Sequence, residues 1–145
     1  MVYLFVNADD SKALYSSNKP TNFVVELPDD IDTTNCKLGL CEWVITGYKG
    51  PIYIYCDLLD SQDIVVEGKH LPLLRYIATK PNKGEFKNIY WMKVREQTSV
   101  KRFRIYLTTS NQQPLEEIPD PVSLLNIRKP ADTRVELVLK LKQSV

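Results

Sequence analysis

Ile52-Tyr53-Ile54-Tyr55-Cys56-Asp57-Leu58-Leu59, followed after a connection by Leu71-Pro72-Leu73-Leu74-Arg75-Tyr76-Ile77, is the stretch that decides the fold. In the first run Ile52, Ile54 and Cys56 share one parity, and Tyr53, Tyr55 and Asp57 share the other. Successive side chains of a strand point to opposite faces, so this period of two marks a strand with an apolar buried face and a tyrosine-bearing outer face. The connection, residues 60–70, sets turn formers around a brief apolar segment. The second run is apolar again and reads as the next strand.

The same pattern recurs on either side. Residues 3–7, 23–27, 37–45, 88–94, 103–108 and 134–141 each read as strands. In the last of these Val135, Leu137, Leu139 and Leu141 alternate strictly with Glu136, Val138 and Lys140. Phe103, Ile105 and Leu107 point inward, which leaves Lys101, Arg102 and Arg104 as a solvated strand face. In 88–94, Ile89 and Trp91 share a face opposite Tyr90, Met92 and Val94. Residues 9–22 form a polar connection, and Pro28-Asp29-Asp30 ends the strand before it. Tyr48-Lys49-Gly50-Pro51 and Lys80-Pro81-Asn82-Lys83-Gly84 read as turns. The one helical signal is a single turn around Val122-Ser123-Leu124-Leu125, started by Asp120-Pro121.

With only 5 Gly, the tight Asn-Gly type of hairpin is missing, and the connections are wide enough for strands to cross between two sheets. The expected architecture is all-β: a single jelly-roll β-sandwich of about eight antiparallel strands spanning 1–145 as one domain, with a proline-rich loop insertion at 112–132. A chain of 145 residues that is 43% hydrophobic can fill one core and has little left for a second.

A net charge of +1 gives no long-range field to gather nucleic acid, so no specific nucleic-acid partner is expected. The three cysteines, Cys36, Cys41 and Cys56, form no CxxC pair, and their odd number suits buried thiols in a reducing compartment. No run approaches the ~20 apolar residues of a membrane span, and the opening residues lack a leader pattern, so no membrane insertion is expected. The single histidine, His70, lies in a Gly-Lys-His turn away from any nucleophile, and Asp29-Asp30-Ile31-Asp32 lacks the frame of a calcium loop. The sequence therefore gives no catalytic, cofactor-binding or metal-binding residues, and an enzyme is not expected.

Two segments also resemble a known family. Asn22-Phe23-Val24-Val25-Glu26-Leu27-Pro28 followed by Lys37-Leu38-Gly39-Leu40-Cys41-Glu42-Trp43 is similar to the opening of penton (minor capsid) proteins of Polinton/Maverick elements, adintoviruses and virophage-like viruses. Ile52 to Leu59, Val65 to Gly68 and Pro72-Leu73-Leu74-Arg75 resemble the family's central segment. Asn111-Gln112-Gln113 stands where many relatives carry a glycine turn, and the proline-rich insertion precedes the final strand. The resemblance implies a structural protein that assembles as a ring of five at icosahedral vertices. Its partners would be its own copies and a double-jelly-roll major capsid protein. It would reside in the virion after synthesis in the host cytoplasm, with assembly in the nucleus as one route.

Tyrosine is enriched at protein contacts, which makes Tyr53, Tyr55, Tyr90 and Tyr106 candidate anchors on exposed sheet faces. Leu124, Leu125 and Ile127 in the insertion, and the segment 2–22, complete the candidate subunit interface. The rival reading is a monomeric β-sandwich binding module for carbohydrate or host protein, which would gather Tyr53, Tyr55 and Trp91 on one concave face.

Overall fold

In the computed structural model, residues 1–78, 82–118 and 133–143 are described. They form strands β1 (Val2–Asn7), β2 (Asn22–Ile31), β3 (Cys36–Thr46), β4 (Ile52–Cys56), β5 (Val65–Val66), β6 (Lys69–His70), β7 (Leu73–Ile77), β8 (Lys83–Glu85), β9 (Met92–Lys93), β10 (Val100–Thr108) and β11 (Arg134–Gln143). No α-helix occurs among the described residues, only a 3-10 turn at Ser110–Gln112. The protein is all-β, and every strand pair is antiparallel.

One sheet runs β1-β11-β3-β8, with β9 also pairing β3, and a second runs β2-β10-β4-β7. β5 and β6 form a separate hairpin. The inward parity of each long strand fills the space between the sheets. Ile52, Ile54 and Cys56 from β4 meet Phe103, Ile105 and Leu107 from β10 there, together with Val135, Leu137, Leu139 and Leu141 from β11. Burying a side chain of this size stabilises by roughly 1.5–3 kcal/mol, so the alternation read from the sequence is what holds the two sheets together.

Three local readings are corrected by tertiary context. β2 does not stop at Pro28 but continues to Ile31. The backbone N–H groups of Val24 and Glu26 point away from β10, toward Asn18 and Ser11, and Pro28 has the same parity. Its missing donor therefore falls on the free side of an edge strand, where no ladder bond is lost. Lys83-Gly84 is strand and not turn, because Gly84 lies against the Trp43 ring and a Cβ there would overlap the indole. The expected strand 88–94 shrinks to Met92–Lys93. Residues 88–91 instead cross the outer face of the first sheet, where Gly39 leaves room for Ile89 and Trp91. The turn of helix expected around Val122 lies outside the described residues.

The segment after β8 is tied to the opposite sheet by one side chain. The Arg75 guanidinium of β7 sits 3.6 Å from the ring centres of both Phe86 and Tyr90, and its Nη1 donates toward the Asn88 carbonyl at 3.5 Å. Phe86 in turn stacks on Trp43 at 4.6 Å, so a chain of flat groups closes this side of the sandwich.

Candidate assembly surface

The tyrosines proposed as contact anchors separate into two places. Tyr53 and Tyr55 of β4 and Tyr106 of β10 share the outer face of the second sheet, because β10 pairs β4 with Tyr106 opposite Tyr55. Tyr76 of β7 joins them opposite Tyr53, giving a band across three strands. The ring centres of Tyr76 and Tyr53 are 4.7 Å apart, those of Tyr53 and Tyr55 6.5 Å, and those of Tyr55 and Tyr106 4.7 Å. Tyr90 lies elsewhere, exposed on the Arg75 clamp.

The expectation that Tyr55 is an exposed anchor is overturned, since its residue is 0% exposed. It stands in the middle of the band, stacked on Tyr106 and flanked by Tyr53. Glu67, from the β5–β6 turn, lies close enough to raise its pKa. That turn is held over the sheet end by the Glu67 carboxylate, which accepts from the Asn111 N–H at 2.7 Å and from the Gln112 amide. Burial raises the Tyr55 phenol above its ordinary pKa, with the neighbouring Thr108 hydroxyl opposing the shift. Neither hydroxyl makes a well-formed hydrogen bond. Tyr53 and Tyr106 are half-buried, and Tyr76, which the sequence reading passed over, is the more exposed end of the band. Leu124, Leu125 and Ile127 lie outside the described residues.

Tyr53, Tyr55 and Trp91 do not come together as a monomeric binding face would need. The first two belong to the outer face of the second sheet. Trp91 packs over Gly39 on the outer face of the first, with the Lys142 ammonium 4.1 Å from its ring centre.

The two sheet edges beside the sandwich mouth differ in how they are finished. β2 is covered. Asn18 donates from its side-chain amide to the Val24 carbonyl at 2.9 Å and accepts from the Val24 N–H at 2.9 Å, as a neighbouring strand would. Ser11 Oγ accepts from the Glu26 N–H at 3.0 Å. The polar connection 9–21 thus caps this edge with side chains, a common way to keep a strand from recruiting another. β1 has no such cap. It pairs β11 on one side only, and no backbone hydrogen bond from Val2 to Val6 reaches another partner. It also carries exposed apolar side chains, with Phe5 71% and Tyr3 54% exposed. Lys140 rests 5.1 Å from the Tyr3 ring centre.

Between these edges runs a groove of about 520 Å³, with β1 on one wall and residues 25–31 of β2 on the other. Leu4, Val25 and Leu27 line its apolar part, and Asp10, Glu26 and Asp29 are its charged groups; no Lys or Arg lines it. Glu26 is itself engaged, accepting from the Tyr15 hydroxyl and pairing with Arg102 Nε at 3.5 Å. On the outer face of the first sheet a shallower cup of about 750 Å³ has Phe5, Val44 and Val138 among Glu42, Glu85 and Glu136. The signal for β1 was present in Val2-Tyr3-Leu4-Phe5-Val6, which is apolar on both parities where a solvated strand would alternate.

His70 is exposed, with Nδ1 3.3 Å from the Ser61 carbonyl. Among the described residues no group of three His, Cys, Asp or Glu side chains is arranged to hold a metal ion. Comparisons with family models, with curated proteins and with solved structures gave no match.

Proposed function

We propose that this protein is a structural subunit of single jelly-roll type that works by self-assembly into a closed ring, as a penton-type capsid protein does. The pairing order supports the jelly-roll part. β1 pairs β11, β2 pairs β10, β3 pairs β8 and β4 pairs β7, so the first four long strands meet the last four in nested order. Lateral pairing of β11 with β3 and of β10 with β4 completes two four-stranded layers. A long antiparallel ribbon wrapped around a core gives this order.

Fold alone does not assign function. The observation that carries the assembly reading is the contrast between the edges: β2 is capped by Asn18 and Ser11, whereas β1 is left open and apolar beside a groove. An exposed apolar edge recruits further chain, and a chain that caps one edge and leaves its neighbour open has a surface for a defined contact. A ring needs two different faces of one subunit to meet, and an edge on one side of a sandwich with a tyrosine band on the other supplies unlike faces. The resemblance to penton proteins gives the ring size of five and a vertex position in the virion, alongside a double-jelly-roll major capsid protein.

Negative-stain images of the purified protein test this. Closed five-lobed rings support it; a uniform field of single small particles at every concentration tried contradicts it.

A further inference from the structure

A free strand edge is satisfied by a second strand, whose N–H and C=O groups face its own. The β1 edge offers six residues to such a partner. The groove beside it adds requirements on side chains. Its floor is apolar, and Asp10, Glu26 and Asp29 with no lining cation ask for positive charge in the occupant. Asp10 and Asp29 are both exposed. A second β1 is a poor occupant, because it carries no cation and is followed by Asp9-Asp10. Two such edges together would crowd like charges.

One run of this sequence has the required chemistry. Val122-Ser123-Leu124-Leu125-Asn126-Ile127-Arg128-Lys129 lies between Pro121 and Pro130 and contains no proline, so each residue keeps a backbone donor. It holds four apolar residues and two cations and no acid. Its eight residues match the six of β1 with room for entry and exit.

We propose that, in the assembled state, the β1 edge of one copy receives the 122–129 run of a neighbouring copy as an added strand, with Arg128 and Lys129 meeting Asp10 and Asp29. The proposal rests on the self-assembly reading above and gives it its contact. Backbone bonds along β1 supply affinity, and the opposed charges set direction and exclude a β1–β1 pairing. Because one copy gives the run and the other the groove, the contact is heterologous and repeats around a ring.

The test is a charge exchange on the full chain, read by sedimentation velocity across concentration. Asp10→Lys with Asp29→Lys, and separately Arg128→Glu with Lys129→Glu, should each raise the concentration at which the protein associates, on the order of tenfold or more. Combining all four substitutions should restore association toward that of the unaltered protein, which also shows that the single pairs remain folded. Unchanged association in either pair overturns the proposal while leaving self-assembly in place, as does a folded four-fold variant that stays dissociated. An unaltered protein that is monomeric at every concentration removes both readings together.

Discussion

Cys56 is enclosed between the sheets, and its removal from water penalises the thiolate, so its pKa is pushed well above the ordinary thiol value. Burial raises Cys36 and Cys41 in the same direction, and Cys41 also donates to the Val138 carbonyl at 3.0 Å. Tyr48, Tyr55 and Tyr106 are raised by burial as well. For all of these the folded chain holds its proton to higher pH than the unfolded chain, which releases it near about 8.5 for Cys and about 10 for Tyr. The stability they contribute is thus complete below about pH 8 and is lost as pH rises through the folded values. The urea midpoint should stay level from about pH 7 to 8 and fall by about pH 10; a midpoint flat over that whole range counts against the burial. At about pH 8 the native protein should resist alkylation at all three thiols, and all three should label once it is unfolded, because only the thiolate reacts. Tyr55 allows a second check. Its hydroxyl is buried without a well-formed bond, so Tyr55→Phe should leave unfolding free energy unchanged or raise it by up to about 1–3 kcal/mol. A loss of more than about 1 kcal/mol would mean that the hydroxyl is bonded in solution.

At the scale of elements, the finish of each strand edge decides what it does. Asn18 replaces a missing neighbour for β2, so Asn18→Ala leaves two buried backbone groups of Val24 unpaired and should cost about 1–3 kcal/mol each before relaxation. The same variant should aggregate more readily, measured by turbidity on mild heating, since a second edge becomes open. Equal stability and equal turbidity would show that connection 9–21 is not a cap. Most strands were legible in the sequence because a period of two survives any tertiary setting, as in Val135, Leu137, Leu139 and Leu141. What was not legible depended on a neighbour far along the chain. Pro28 reads as a stop until its free side is known, and Gly84 reads as a turn until Trp43 lies over it. Tyr55 has the parity of a surface residue and is hidden only because Tyr53 and Tyr106 stand beside it. β1 was placed among the contact segments, yet its open edge follows from the pairing with β11 and from the cap on β2, which no local pattern encodes.

For the whole molecule, two four-stranded layers in nested order leave two kinds of unlike surface on one small body. One is the open β1 edge with its acidic groove, and the other is the tyrosine band ending at Tyr76. Assembly follows from this asymmetry, since subunits with unlike complementary faces join head to tail and close when the rotation allows. Light scattering behind a sizing column, run across concentration and salt, measures this most directly. The account predicts a discrete species near five times the 16.7 kDa chain mass, with no continuous growth. A single species at 16.7 kDa under all conditions would contradict it.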